Sequence, residues 1–153
     1  MMHLNRLFKM RLTINKIFIL LGALSFLGFV DAAYLTIIHY KNIIPPCTIT
    51  HGCEKVLSSS FAVIYGIPLS MFGVAYFFAS IVLTILLFQH LKNIWMRRIF
   101  MLFNSSGVIA AVILLVLQFL VIKALCQYCI LVELILFLLF AFSVLLLNRR
   151  KLA

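Results

Sequence analysis

The sequence predicts an all-α integral membrane protein, a bundle of four transmembrane helices with an extracytoplasmic loop that carries a short helix. Hydrophobic residues make up 66% of the 153 residues and charged residues only 10%. A soluble domain of this length could not bury that much apolar surface. Four apolar stretches are each long enough to cross about 30 Å of hydrocarbon. Their apolar character is uninterrupted, which is typical of membrane helices rather than of barrel strands.

The predicted spans and the loop between the first two define a single domain over residues 1–153. The loop, residues 41–66, differs in composition from the apolar runs: its residues 41–60 include two prolines, a glycine, serines, threonines, a histidine and a glutamate. Pro45 and Pro46 cannot extend the first helix, and Gly52 permits a tight turn. Residues 54–57 are expected to form one or two helical turns on the membrane surface. The four spans are predicted at about residues 17–40, 67–89, 99–122 and 126–147.

The placement of Lys and Arg predicts the orientation. Ten of the thirteen lie in the N-terminal flank, in the link between the second and third spans, and in the C-terminal tail. The other three are Lys41, Lys55 and Lys123. By the positive-inside rule, both termini are expected in the cytoplasm and the 41–66 loop outside. Because the charges sit in short flanks between apolar runs, the net charge of +10 does not indicate a nucleic-acid partner.

All four cysteines then lie on the outer side, where disulfides persist. Cys47 and Cys53 are in the loop, and Cys126 and Cys129 begin the last span. On a helix, Cys126 and Cys129 would share one face within disulfide reach, and the helix N-terminus favours their thiolates. The loop pair can close a small disulfide that exchanges easily. We interpret the two pairs as a relay that passes electrons from protein thiols to a lipid-soluble acceptor.

Two other interpretations remain open from the residues alone. One is a non-catalytic membrane protein with a Cys₄ metal site, although the Cys47–Cys53 spacing is wider than the usual Cys-x₂-Cys of zinc sites. The other is a structural bundle with one stapled loop, although a staple does not explain a second dithiol on the same face. The relay is preferred, and no metal is expected.

Four segments occur in order along the spans and the loop. They are residues 31–36 (Asp-Ala-Ala-Tyr-Leu-Thr), 47–59 (Cys-x₅-Cys-Glu-Lys-Val-Leu-Ser-Ser), 61–70 (Phe-Ala-Val-Ile-Tyr-Gly-Ile-Pro-Leu-Ser) and 125–129 (Leu-Cys-Gln-Tyr-Cys). On these segments the chain resembles the vitamin K epoxide reductase family, over about residues 20–145. It is similar to the bacterial branch, which drives disulfide formation outside the inner membrane. The resemblance therefore implies a multi-pass protein of a bacterial inner membrane with periplasmic redox cysteines.

The resemblance also implies a role for each cysteine. Cys47 would form a mixed disulfide with a reduced thioredoxin-fold partner. Cys53 would resolve it and pass electrons to Cys126, and Cys129 would face and reduce the quinone. Ser59 matches the family's Ser or Thr near the active site, with capping of the surface turn as the alternative.

The resemblance implies partners as well. Many bacterial members are fused to a thioredoxin-like domain. Because this chain stops at Ala153, we expect a separate periplasmic thioredoxin-fold thiol oxidase as the electron donor. Ubiquinone or menaquinone is the expected acceptor, reached through the membrane lipid.

Four further positions are expected near the quinone. Glu133 stands four residues after the second cysteine of the Cys-x-x-Cys, where the vertebrate branch has a tyrosine that contacts the quinone. A carboxyl at membrane depth suggests function by default, so Glu133 is expected to hydrogen-bond the quinone or relay a proton to it. A neutral Glu133 bonded to a neighbouring helix is the alternative. Phe72, Tyr76 and Phe119 are expected to line the pocket. Asp31, the other acid in a span, is expected to pair with a donor within the protein.

Overall fold

Helices dominate the computed structural model, which describes residues 2–43, 45–47 and 52–148, with side chains from residue 14 onward. The helices are α1 (Met2–Tyr40), α2 (Cys53–Leu57), α3 (Leu69–Gln89), α4 (Ile94–Val116) and α5 (Gln127–Asn148). A 3₁₀ turn (Ser60–Ala62) and two short strands, β1 (Val63–Ile64) and β2 (Ile67–Pro68), join α2 to α3. The end of α4 continues as a π-helical turn over Leu117–Ile122.

Four of these helical segments are long and apolar enough to cross a membrane. They are Ile14–Tyr40, Leu69–Gln89, Ile94–Ile122 and Gln127–Asn148. The predicted fold class is therefore confirmed, and so is a short helix in the loop. The third span starts earlier than predicted because Asn93 caps α4: its side-chain oxygen accepts a hydrogen bond from the Trp95 amide at 3.0 Å.

A two-stranded hairpin before α3 is an element that the sequence prediction did not include. β1 and β2 pair antiparallel, with Val63 opposite Pro68 and Ile64 opposite Ile67. Tyr65 and Gly66 connect them with positive φ angles of 51° and 83°, as a tight hairpin turn between right-twisted strands requires. The second span consequently begins at Leu69 rather than at residue 67.

Close packing of small residues holds the spans together, since lipid tails provide no hydrophobic drive between membrane helices. Helix α1 packs against α3 and α5, and α4 packs against α5. Gly28 of α1 lies directly against the Phe77 ring of α3. Ser25 and Ser80 share a buried hydrogen bond of 2.9 Å across the same pair of helices. These contacts hold the spans together. At one end of the bundle, α2 meets the start of α5.

The contact at Gly28 predicts a stability effect. A Cβ at this position would overlap the Phe77 ring, so Gly28→Ala must push α1 away from α3. We expect a loss of about 1–3 kcal/mol in the free energy of unfolding, measured by denaturant unfolding in detergent micelles. The control is Gly22→Ala on the same helix, where a Cβ would meet nothing within 4 Å. Equal stability of the two variants would contradict the α1–α3 packing described above.

Candidate functional site

The two cysteine pairs meet at this end of the bundle. Cys47 and Cys53 form a disulfide with their Cα atoms 6.1 Å apart, whereas Cys126 and Cys129 are free thiols. Cys53 opens α2, and Cys126 directly precedes α5. Both are completely buried, and they belong to one small cluster with Val56. The structure thus brings the loop pair and the helix pair together, as the relay interpretation requires.

Gly52 allows this approach because it has no side chain. A Cβ at Gly52 would lie 2.5 Å from the Leu125 carbonyl oxygen, 2.8 Å from the Leu125 nitrogen and 3.2 Å from the Ala124 Cβ. Its φ of −108° is open to any residue, so the glycine is needed for space rather than for an unusual turn. The backbone before Cys53 therefore rests directly on the backbone before Cys126.

The two residues inside the Cys-x-x-Cys contact the loop from the other side. The Tyr128 hydroxyl donates to the Pro46 carbonyl at 3.3 Å, and Gln127 Nε2 donates to the same oxygen at 3.5 Å. The Tyr34 ring of α1 lies 5.6 Å from the Tyr128 ring. The residue before Cys47 is therefore held over the start of α5.

The sequence suggested that Cys126 lies within the last helix. In the structure it instead occupies the capping position before α5. Its carbonyl accepts the first helical bond, from the Ile130 amide at 3.0 Å. Its sulfur accepts from the Cys129 amide at 3.4 Å, where a capping oxygen would normally sit. A hydrogen bond from the Cys129 thiol lowers the pKa of Cys126 below its ordinary value, against burial and the Asp31 carboxyl, which raise it. The Cys126 thiolate is thus the favoured leaving group and nucleophile.

Gln118 and Glu133 form a buried polar link behind the thiols. Gln118 lies on the π-helical turn and is 3% exposed, and Glu133 is 2% exposed. Gln118 Nε2 donates to Glu133 Oε1 at 2.7 Å, and the Cys126 amide donates to Gln118 Oε1 at 3.1 Å. Gln118 was not among the site residues predicted from the sequence. The available signal was a pair of polar residues on two neighbouring apolar spans.

Two buried carboxyl oxygens have no hydrogen-bond partner among the residues that the structure describes. They are Oε2 of Glu133 and Oδ2 of Asp31. The expected pairing of Asp31 is therefore not seen at this oxygen. Since buried polar atoms are nearly always bonded, each such atom calls for an explanation.

A cavity of about 580 Å³ opens beside Cys129. Its walls come from all four spans and from α2, and they are mainly apolar, as in small-molecule sites of this size. Ser59 and Phe72 line it together with Cys129 and Gln118. Phe119 is not part of this lining in the described structure and is 58% exposed.

Ser59 and Glu133 relate to the cavity in different ways. The Ser59 hydroxyl donates to the Val56 carbonyl at 2.7 Å, so it closes the end of α2 while it also borders the cavity. Glu133 does not line the cavity in the described structure and reaches it through Gln118. A direct contact between Glu133 and a ligand stays a prediction.

The loop disulfide is relevant to the alternative interpretation of the four cysteines as a metal site. With Cys47 joined to Cys53, the four sulfurs do not present four thiolates together. Within residues 2–43, 45–47 and 52–148, no group of three or more His, Cys, Asp or Glu side chains is arranged to hold a metal ion.

Comparison with known proteins decides the family. The model of the vitamin K epoxide reductase family matches residues 19–144, which include all four cysteines, the two middle spans, most of the first and last spans, and the lining of the cavity. The chain belongs to the vitamin K epoxide reductase family. In a comparison with curated proteins, no sequence matches it. The protein is accordingly a membrane oxidoreductase of this family, with a cysteine redox pair at the start of its last helix.

The contact at Gly52 predicts a functional effect. In Gly52→Ala, the new methyl group would collide with the Leu125 backbone and lift Cys53 away from Cys126. We expect thiol–disulfide exchange between the two pairs to slow by at least about tenfold, because the reacting sulfurs must be in contact. Alkylation of the free thiols at successive reaction times, followed by mass spectrometry, measures this rate. The control is Lys55→Ala, an exposed residue of the same short helix, which should exchange like the wild type. An unchanged rate in Gly52→Ala would contradict the backbone contact.

Proposed function

We propose that this protein takes electrons from a reduced thioredoxin-fold partner and passes them to membrane quinone, and so supports disulfide formation outside the cytoplasm. One observation carries the proposal: Cys53 and Cys126 are buried in one cluster, between a disulfide in the loop and a dithiol that borders a cavity. This order of groups is what a two-step electron relay needs.

The first step is exchange with the partner. Cys47 is partly exposed, whereas Cys53 is fully buried, so an incoming thiolate reaches the sulfur of Cys47. The bond from the partner sulfur to Cys47 forms, the Cys47–Cys53 bond breaks, and Cys53 leaves as a thiolate. The second thiol of the partner, rather than Cys53 as the resemblance implied, then attacks the mixed disulfide, because attack by Cys53 would return the electrons to the partner. The partner leaves oxidised, and both loop cysteines are reduced.

The second step moves the electron pair along the chain. When Cys126 and Cys129 are joined, the Cys53 thiolate attacks Cys126 and displaces Cys129. Cys47 then attacks Cys53, restores the loop disulfide and releases Cys126. The result is the arrangement described above, a loop disulfide beside a free Cys126–Cys129 dithiol. This state is ready to reduce an acceptor.

The cavity beside Cys129 supports a quinone as that acceptor. Its volume and its largely apolar wall suit a prenylated ring. Cys129 is the sulfur that borders it, and Phe72, 49% exposed, lies at its rim. Ubiquinone and menaquinone share the reducible ring that this chemistry requires. The dithiol gives up two electrons and two protons, the quinone takes up both, and the Cys126–Cys129 disulfide forms.

The proposed orientation places the redox end outside a bacterial inner membrane, with both termini inside. It follows from the Lys and Arg distribution and the positive-inside rule. Lys41, Lys55 and Lys123 are all exposed at the redox end. The partner would be a separate periplasmic protein that approaches from this side.

Anaerobic turnover tests the proposed function. Purified protein in lipid nanodiscs, given a reduced thioredoxin-fold donor and ubiquinone or menaquinone, should form one quinol for each donor disulfide. Cys126→Ser and Cys129→Ser should abolish the reaction, because the dithiol supplies both electrons. A metal-binding protein would instead contain zinc in stoichiometric amount and would reduce neither quinone. Quinone reduction that survives in Cys129→Ser would refute the relay.

The partner's point of attack gives a separate prediction. In Cys53→Ala, Cys47 is first activated as its thionitrobenzoate disulfide and then mixed with a donor that keeps only its attacking cysteine. We expect a stable mixed disulfide at Cys47, since no neighbouring thiolate can displace the donor. Non-reducing gels and peptide mapping detect it. In the reciprocal variant, Cys47→Ala, the buried Cys53 should react at least about tenfold more slowly. Preferential reaction at Cys53 would reverse the assigned roles of the two cysteines.

A further inference from the structure

We propose that Gln118 is a positioning residue for quinone reduction, which holds the Glu133 carboxyl beside the Cys126–Cys129 pair so that Glu133 carries a thiol proton to the quinone. This inference rests on the proposed function and adds a proton path to its electron path. It starts from three groups that meet in the described structure: the π-helical turn, the cap of α5 and a buried carboxyl.

The orientation of the Gln118 amide follows from its partners. The Cys126 backbone N–H can only donate, so the amide oxygen of Gln118 must face it, at 3.1 Å. The amide NH₂ is then left for Glu133 and donates to Oε1 at 2.7 Å. The network thus assigns the two ends of the amide without ambiguity. Oε1 of Glu133 is an acceptor, and Oε2 is the oxygen with unused hydrogen-bonding capacity.

Glu133 Oε2 is the atom that this arrangement leaves for chemistry. It is buried without a partner among the described residues, whereas buried polar atoms are nearly always hydrogen-bonded. Glu133 stands one helical turn after Cys129 on α5. It is joined to the Cys126 amide through Gln118. The two thiols are therefore the proton donors that the proposal assigns to Oε2.

The quinone reaction needs such a carrier because the site is dry. When the Cys126–Cys129 bond forms, two S–H bonds break and the quinone gains two electrons and two protons. Cys126 is completely buried, so water does not reach its proton directly. Glu133 accepts the proton of the buried Cys126 thiol and delivers it towards the cavity, which Gln118 and Cys129 both line, and the Cys129 proton passes directly to the quinone. Glu133 ends the cycle in its starting state, and no further reactant is required.

Other titratable groups surround the pair and must be separated from Glu133 in any test. Asp31 of α1 acts on both cysteines and has its own unpartnered Oδ2. Tyr76 of α3 borders the cavity. Neither has a hydrogen bond to Gln118 or to the Cys126 amide among those described, whereas Glu133 is joined to the cap of α5 through one side chain.

The first arm of the experiment uses no quinone. The Cys126–Cys129 dithiol is oxidised chemically in the full-length protein, and infrared difference spectra follow the carboxyl bands. We expect a carboxyl band that changes with thiol oxidation, disappears in Glu133→Gln and shifts in Gln118→Met, but persists in Asp31→Asn. The absence of any Glu133 band in the wild-type difference spectrum would overturn the proposal, whether or not the protein reduces quinone.

The second arm measures quinone reduction by the pre-reduced dithiol in a single turnover at different pH values. Glu133→Gln keeps the hydrogen bond to Gln118 but cannot carry a proton, so we expect a loss of about 100-fold and a flattened pH profile. Gln118→Met should lose about tenfold and flatten the profile in the same way. Exchange between Cys53 and Cys126 delivers no proton to the quinone, so it should slow less than quinone reduction in both variants. Ser105→Ala is the control, because Ser105 does not line the cavity and its hydroxyl bonds its own helix, at the Met101 carbonyl, in the described structure.

The two arms distinguish the possible failures. A Gln118→Met variant that slows exchange and quinone reduction equally, with a wild-type pH profile, would show a purely structural role and refute the proposal. A wild-type protein that shows the carboxyl change but reduces no quinone would refute the proposed function while leaving the thiol–carboxyl coupling in place.

Discussion

The contact between Gly52 and Leu125 is the constraint on which the rest of the redox site depends. It brings two backbones so close that one side-chain atom would not fit between them. Cys53 and Cys126 are the next residues along each segment, so this contact determines that their sulfurs share one buried cluster. Disulfide exchange needs the attacking and leaving sulfurs in line and in contact. If α2 did not pack on the start of α5, the two cysteine pairs would not be in contact.

The membrane bundle supplies the rigidity that this contact needs. Helices in lipid associate through close packing and hydrogen bonds, and Gly28 and Ser25 of α1 serve that purpose here. At the redox end of the bundle, α4 widens into a π turn, a feature that often marks functional sites. The turn ends at Lys123 with a positive φ of 52°, after which the chain reaches Cys126. The same turn places Gln118 between the cap of α5 and Glu133. The π turn therefore accounts both for the path of the chain to Cys126 and for the hydrogen bond between Gln118 and Glu133.

Much of the fold was predictable from the sequence because membrane spans are a matter of length and composition. The four apolar runs predicted the four membrane helices. The end of the first span was indicated by the prolines at 45 and 46 and by the polar composition of the loop. The pairing of the redox groups at one face followed from charge placement and from the number of spans. Each of these inferences uses a property that a single segment carries by itself.

The remaining features depend on contacts between segments, which local patterns do not contain. Gly52 was expected to serve a tight turn, but its φ is ordinary and its role is to make room for Leu125. From the sequence, Gln118 is only a polar residue within a span. Its hydrogen bond to Glu133 depends on the π turn, which the sequence does not reveal. Cys126 was placed on the helix, yet its sulfur caps it. The β hairpin was missed because strands of two residues are too short for a periodic signal.

The central claim is that Cys53 and Cys126 are direct exchange partners. The most direct measurement uses the double variant Cys47→Ala, Cys129→Ala, which leaves only these two thiols. After mild oxidation in nanodiscs, the account predicts a single intramolecular disulfide between Cys53 and Cys126, mapped by non-reducing peptide mass spectrometry. Two thiols that remain free, or that join only between separate molecules, would contradict it.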